Sequence, residues 1–533
     1  MSRRLELRLK CRMPVTISSG TFSEEGIVLD ISPTHFKATF KTNLSDHRRY
    51  HFKINLLDAK PIDGKARVER LLSSKEGEYS FIMLIEGLAI QEEVELLAYI
   101  QQQSSQESPE RRQNGRVSSF TKNRRGGDRV SPHVEYARVV ITGIGVVSPI
   151  GIGRSAYWTS ILNRRSGIKD ISLFDTSSFP IKIAGEVSTA DVLHQVPQRL
   201  AKHMGRATMF GWLAAKLAWE DAELKVENEN LDRAGVVMGT TLGTLDWAFA
   251  QYATLHAKGY KSEHPYTIAA GSSNALSGEI SVQYGLRGPS LTLSQGCSSA
   301  SMSIAYGLDS IRLGRTSIML VGGSDAPLNP TVFGAFVRSG MLSKSAASLK
   351  GDSIAVSDCT GAVLGEGACV LVLESYDHAK QRGAPILGEL MSTGFASDGH
   401  DMIIPHPSGR GIARAIRMSF EQGNAEKDKV DLIMGHFAGL RDPHLVEMRV
   451  LRREFGQQVN VVPVANVKPL IGYTQGACGA FEVAAACLAF QEPVRWITYN
   501  GKHSASKAHT ALVNCVGFGG KNVSLLVGSS LDG

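Results

Sequence analysis

The residue most able to do chemistry is Cys297, set in Ser294-Gln-Gly-Cys-Ser-Ser-Ala-Ser between an apolar run and a run of small residues. Leu286, Pro289 and Leu291 to Leu293 predict a buried strand, while Ala300, Ile304, Leu308 and Ile311 recur at helical spacing until Gly314 ends the pattern. The thiol thus falls at a strand-to-helix turn. Unpaired N–H groups and the positive end of the helix dipole favour a thiolate there, below the usual cysteine value of about 8.5. That is nucleophile chemistry; the plainer alternative is a buried cysteine acting as a small hydrophobe. A second candidate closes Asp431-Leu-Ile-Met-Gly-His436, an apolar run ending on a histidine ahead of a helical pattern through Leu445, Met448, Leu451 and Phe455. A histidine at a strand end can move protons or polarise a carbonyl; it can also be an ordinary hydrogen-bonded residue of the core.

Near-continuous apolar runs surround these residues. Gly235-Val-Val-Met-Gly-Thr-Thr and Ile318-Met-Leu-Val-Gly-Gly read as strands of a sheet covered on both faces, with helices such as Arg206 to Leu224 between them. The pattern restarts near Ile386, just after the stretch from Glu374 to Arg382. The strand Arg138 to Ile141 with Thr142-Gly-Ile-Gly145 suggests a dinucleotide-binding turn. Ser148 stands where the third glycine belongs, and no acidic residue follows at the required distance. These glycines are expected to serve close packing instead.

The 533 residues exceed one ordinary core and imply two to four units. No apolar run of about 18 residues and no signal-peptide pattern occurs, which predicts a cytoplasmic protein without a membrane span. Seven cysteines, an odd number without paired spacing or nearby histidine clusters, argue against a disulfide framework and a structural zinc site, so no metal is expected. A net charge of +7 is modest for this length, although an acidic partner could exploit it.

Residues 1–102 alternate apolar and polar positions in Gly26-Ile-Val-Leu-Asp-Ile, Lys37-Ala-Thr-Phe, Tyr50 to Leu56 and Ala66 to Leu72, the pattern of a small all-β barrel. A helix through Leu88, Val94, Leu96, Leu97 and Ile100 is expected next. The segment resembles a PilZ domain in Arg4-Leu-Glu-Leu-Arg8 and Asp30-Ile-Ser32. That resemblance implies cyclic di-GMP as a regulatory ligand of Arg4, Arg8, Asp30 and Ser32. His35 departs from the glycine of that motif, and a barrel that only docks another protein is the alternative. Residues 103–136, rich in Arg, Ser, Gly and Gln, read as a flexible basic linker with no nucleic-acid-binding motif.

From Arg138 onward the chain resembles the β-ketoacyl-[acyl-carrier-protein] synthases. The ordered motifs are Val139-Val-Ile-Thr-Gly-Ile-Gly-Val-Val-Ser-Pro, Gly285-Leu-Arg-Gly-Pro, the Cys297 turn, Val321-Gly-Gly-Ser-Asp, Gly365-Glu-Gly-Ala and Gly517-Phe-Gly-Gly-Lys-Asn. The resemblance implies a thiolase-like fold of duplicated α/β halves, 137–384 with the nucleophile and 385–533 with its partners. It assigns His436 as the first active-site histidine, Glu447 as the partner of Lys468, and the backbone N–H groups of Cys297 and Phe518 as the oxyanion hole, with Phe518 also gating the acyl pocket. Where the family has a second histidine this chain has Tyr473, and its threonine-rich loop is replaced by Phe437-Ala-Gly-Leu-Arg441. The implied partners are an acyl carrier protein and a second synthase-like subunit, identical or not, with no cofactor needed for catalysis. Three functions follow: decarboxylative condensation through a Cys-His-Tyr site, acyl transfer without decarboxylation, or a non-elongating chain-length-factor-like subunit. Cys297 weighs against the last.

Overall fold

The computed structural model describes residues 9–19, 22–31, 35–40, 49–54, 62–75, 78–88, 136–344, 359–497 and 503–529. It divides into two compact units, Met1–Ser131 and Pro132–Gly533.

In the first unit six strands, β1 (Leu9–Ser19), β2 (Phe22–Ile31), β3 (His35–Phe40), β4 (Arg49–Ile54), β5 (Ile62–Lys75) and β6 (Glu78–Leu88), close into a barrel in the order β1-β2-β3-β6-β5-β4. Pairing of Val15 with Ile54 and of Ile17 with Phe52 closes it, so no strand edge is left unpaired. Leu88, expected in a helix, is instead the last residue of β6, opposite Gly64. The rest of that expected helix and the linker up to residue 135 lie outside the described residues, as do Arg4, Arg8 and Ser32. Asp30 is in β2 and His35 opens β3.

The second unit is built on one large mixed sheet. Its first five strands are β7 (Val139–Ser148), β8 (Ala234–Gly239), β9 (Ser290–Leu293), β10 (Ile318–Asp325) and β11 (Gly367–Ser375). The next five are β12 (Gly388–Ser397), β13 (Leu432–Met434), β14 (Val464–Ala465), β15 (Thr510–Gly517) and β16 (Lys521–Gly528). They lie in the order β9-β8-β10-β11-β7-β12-β16-β15-β13-β14, with the short strand Gly151–Ile152 beside β7. Counted within each group of five from the outer edge, the order is third, second, fourth, fifth, first in both groups. The fifth strand is antiparallel to both its neighbours in each group, while the outer pairings are parallel. The duplication is therefore visible in topology.

Helices cover both faces of the sheet in each half. The outer helices are α1 (Arg206–Asp221) and α3 (Arg410–Gly423); the inner ones are α2 (Ser299–Arg312) and α5 (Cys478–Ala489), with α4 (Arg441–Phe455) beside α3. Gly143 and Gly145 let β7 lie against α1. A Cβ on Gly145 would sit 1.9 Å from the Ala214 carbonyl oxygen, and one on Gly143 2.2 Å from that of Ala218. These glycines serve packing, as their sequence context implied. Ala300, Ile304, Leu308 and Ile311 of α2 are buried in one cluster with Ala477 to Phe490 around α5. β9, expected to be buried, is an edge strand bonded only to β8, and Leu291 is 37% exposed. Among the described residues no helix is long and apolar enough to cross a membrane.

Candidate active site

Cys297 sits where β9 turns into α2, the strand-to-helix position read from its sequence. Gly296 makes the turn with φ +63°, a left-handed angle that favours glycine, and a Cβ there would approach the Phe518 carbonyl at 3.4 Å. Phe518 follows the end of β15 and packs against the cluster that buries Cys297, where its N–H favours the ionised thiol. Tyr473 lies in the same buried cluster, and its hydroxyl also favours the ionised thiol. Tyr473 is held through its backbone: its N–H donates to the Val363 carbonyl at 2.7 Å, and its own carbonyl accepts from Gly365 N–H at 3.1 Å. Its ring meets the His436 ring edge to face, centroids 5.6 Å apart. The nucleophile of one half thus meets a histidine, a phenol and a backbone N–H of the other.

His436 lies two residues past β13. Glu447 on α4 accepts its N–H at 2.9 and 3.1 Å, and the N–H of Phe437 at 3.3 Å. Phe437 itself has φ +24°, uncommon for a bulky residue, with its ring closing over Gly435, where a Cβ would be 2.1 Å away. Such a conformation costs of order 1–3 kcal/mol and persists only where its surroundings dictate it. The Glu447 carboxylate and the His444 ring, tilted against Phe437 with centroids 4.5 Å apart, supply that constraint.

The sequence-based pairing of Glu447 with Lys468 needs correction. Lys468 Nζ is 2.7 Å from Glu482 Oε1 on α5, both groups buried, whereas the Glu447 oxygens are occupied by successive backbone N–H groups. Glu447 positions the histidine; Glu482 balances the lysine. The electrostatics follow. Burial opposes the Lys468 ammonium, but the Glu482 carboxylate outweighs that and holds its pKa above the ordinary lysine value. Burial and the Lys468 charge hold His436 well below 6.5, so the imidazole is neutral. Burial lifts Glu447 to about 7 against the N–H groups it accepts.

The expected low pKa of Cys297 is also corrected. Burial, then the neighbouring Cys478, push the thiol up to about 11, although Tyr473 and the Phe518 N–H pull it down. A helix terminus contributes at most about 2 kcal/mol in favourable geometry, roughly 1.5 pKa units, while full burial can shift a group by about 3–5. Desolvation wins, and the thiol must be deprotonated as it reacts.

Two features were not anticipated. Asp325, at the end of β10, accepts from Thr240 Oγ1 and from the N–H groups of Thr241, Leu242 and Gly476 at 2.8–2.9 Å, tying the loop after β8 to the turn before α5. The signal was present in Val321-Gly-Gly-Ser-Asp, an acid ending a buried apolar strand. Glu366, also inside a motif, is instead ion-paired to Arg206 at 2.5 Å, and supports the framework. The second feature is a pair of thiols, Cys478 and Cys515, which donate to the Cys297 carbonyl oxygen at 3.3 and 3.2 Å. With His436 they are the one group of potential metal ligands found among the described residues.

A buried thiol clustered with a phenol, with a neutral imidazole nearby, on a duplicated α/β frame, defines an acyl-transferring enzyme of the cysteine-nucleophile class. The sequence profiles "Beta-ketoacyl synthase, N-terminal domain" and "Beta-ketoacyl synthase, C-terminal domain" match residues 136–379 and 387–501. The chain belongs to the β-ketoacyl synthase family. It is 30% identical over 414 residues to 3-oxoacyl-[acyl-carrier-protein] synthase 2 of Coxiella burnetii, covering 75% of this chain and 100% of that one. Among solved structures it resembles a type II polyketide ketosynthase bound to its acyl-carrier protein and a hexaketide, with a TM-score of 0.67, 25% identity, and 74% of this chain and 100% of that one covered. It also resembles the ishigamide ketosynthase/chain length factor, with a TM-score of 0.66, 29% identity, and the same 74% and 100% covered.

If burial governs the nucleophile, alkylation of Cys297 by iodoacetamide rises about tenfold per pH unit between about pH 7.5 and 9.5, and Tyr473→Phe lowers it throughout. Peptide mass mapping measures both. A rate already level above about pH 8.5 would show a thiolate and overturn the assignment.

Proposed function

We propose that the second unit is a decarboxylating condensing enzyme that joins an acyl group to a malonyl thioester, both carried by acyl carrier protein. The observation that carries this reading is that Cys297 and Tyr473 share one buried cluster with Phe518 packed against it, and that the His436 ring meets Tyr473 at 5.6 Å. In the first half-reaction Cys297 sulfur attacks the acyl thioester carbonyl, its proton passes to the departing carrier thiol, and the N–H groups of Cys297 and Phe518 stabilise the oxyanion. In the second, the malonyl thioester loses CO2, and His436 and Tyr473 stabilise the enolate oxygen. The enolate carbon attacks the acyl-Cys297 carbonyl, releasing the thiolate and leaving a β-ketoacyl carrier.

The Tyr473 hydroxyl acts in both halves, first on the free sulfur and, once that is acylated, on the enolate. A neutral phenol supplies one hydrogen bond without changing charge, and this is the sense in which the site is a Cys-His-Tyr variant. The Phe437 to Arg441 loop, which lacks hydroxyl side chains, narrows which malonyl-type thioesters are accepted. A chain-length-factor-like role has less support, because such a subunit needs no built thiol site.

We also propose that a second subunit, identical or synthase-like, pairs along the open edge of β9. Ile268 and Val282, 83% and 79% exposed, supply apolar surface in the same half. For the barrel, we propose that Arg4, Arg8, Asp30 and Ser32 grip cyclic di-GMP, forked guanidinium groups pairing with its phosphates.

Three tests follow. Cys297→Ala abolishes acyl loading read by intact-protein mass spectrometry; His436→Ala keeps loading but slows CO2 release by at least about 100-fold, the cost of one lost donor; Tyr473→Phe slows both steps. Loading without CO2 release in the unaltered protein would favour the non-decarboxylating reading. Sedimentation at micromolar concentration gives a dimer, alone or with its partner subunit, and a persistent monomer in both cases removes the β9 interface. Calorimetry on the full chain shows heat with cyclic di-GMP that Arg4→Ala with Arg8→Ala abolishes; no heat at near-millimolar nucleotide leaves a docking barrel, with His35 as the obstruction.

A further inference from the structure

His436 Nδ1 lies 3.6 Å from Cys515 Sγ and 4.0 Å from Cys478 Sγ, and the two sulfurs are 3.6 Å apart. The three side chains come from the loop after β13, the first residue of α5 and the interior of β15, so no local spacing in sequence announces them. We infer that they form a binding site for one thiophilic, tetrahedral divalent cation of the Zn2+ class.

The geometry is that of ligands already placed. A tetrahedral zinc with Zn–S of about 2.3 Å and Zn–N of about 2.0–2.1 Å separates two sulfurs by roughly 3.8 Å and a nitrogen from a sulfur by roughly 3.6 Å. The observed distances fall within about 0.4 Å of those edges. All three groups are buried, and apart from one another the two thiols find only the Cys297 carbonyl oxygen, a weak use of a sulfur. Soft thiolates select zinc-like ions over magnesium or calcium. Charge balances too. Two thiols lose their protons to solvent as the dication enters, and with a neutral imidazole the centre carries no net charge, as a dry site requires. Three protein ligands leave a fourth position open for water or an exogenous thiol. Both cysteines touch the Cys297 carbonyl oxygen, which puts the site directly behind the nucleophile.

Metal binding does not depend on the condensing reading; its consequence does. With Nδ1 ligated, the imidazole is fixed on the cation, and His436 can no longer answer the incoming thioester freely. The metal-bound protein is then a resting form, released when the ion is withdrawn.

The test uses the full chain, freed of metal by chelator and kept reduced, titrated with Co2+. One equivalent per chain should produce the strong visible absorption of tetrahedral cobalt with thiolate charge transfer, lose it to one equivalent of Zn2+, and release two protons per ion. Cys478→Ser with Cys515→Ser should abolish the spectrum and Cys297→Ser should retain it, circular dichroism confirming the fold of each. Cys478→Ala alone, a smaller change at the start of α5, should weaken Zn2+ binding at least about tenfold. A spectrum that survives in the double variant, one lost in Cys297→Ser, or no stoichiometric binding overturns the site. So does a Cys478–Cys515 disulfide, seen as two thiols missing until reductant is added. None of these readouts uses a substrate, so failure of the metal site and failure of condensation are separately visible.

Discussion

Close contact between two buried helices of small residues is the constraint on which the rest depends. A Cβ on Gly479 of α5 would lie 2.0 Å from Ser301 Oγ on α2, and one on Gly323 of β10 would lie 2.8 Å from the Ala300 Cβ. Helices α2 and α5 can approach this closely only because Gly, Ala and Ser fill their facing sides. That approach brings the start of α2, with Cys297, against the start of α5, with Cys478, and sets Asp325 where it can hold loops of both halves. Larger residues at those positions would part the halves and the site with them.

Burial at this seam decides the electrostatics. The Lys468–Glu482 pair is a full ion pair without solvent, and such pairs rarely add net stability, since desolvation costs several kcal/mol per ion. Its value here is positional and electrical. Glu482 also accepts Val467 N–H at 3.3 Å, fixing the backbone that leads to Tyr473, while burial and, after it, the lysine charge keep His436 neutral. Glu447 and Asp325 do similar work with backbone N–H groups, each holding a loop that no regular strand or helix could hold.

Much of the fold was legible in the sequence because its signals are local. The helical spacing of Ala300, Ile304, Leu308 and Ile311 and the apolar runs of β8 and β10 needed no tertiary knowledge, and the resemblance supplied the duplication. Cys297 and His436 were found because each ends or follows such a run. The misreadings share a cause. Choosing Glu482 rather than Glu447 for Lys468 depends on which helix faces the lysine, and the elevated thiol of Cys297 depends on how deeply the turn is buried. Edge or interior placement of β9 likewise depends on strand order. The cluster of His436, Cys478 and Cys515 was illegible for the same reason. Its members are 42 and 37 residues apart along the chain, and only the fold joins them.

The phenol of Tyr473 and the imidazole of His436 bear on how the site responds to pH. Burial, then the nearby Cys297, hold the Tyr473 proton in place well above the ordinary tyrosine range, and His436 is held neutral by burial and Lys468. Neither donor changes charge under working conditions. What does change is the thiol, toward about 11, and the two positioning carboxyls, Asp325 near 6 and Glu447 near 7. Both carboxyl values lie above the ordinary range, so between that range and the raised value each carboxyl keeps a proton in the folded chain that it loses in the unfolded one. Stability therefore falls as pH rises through that window. The gain in nucleophile reactivity lies higher still, so alkalinity frees the sulfur only after the loops that aim His436 have taken on their buried charge.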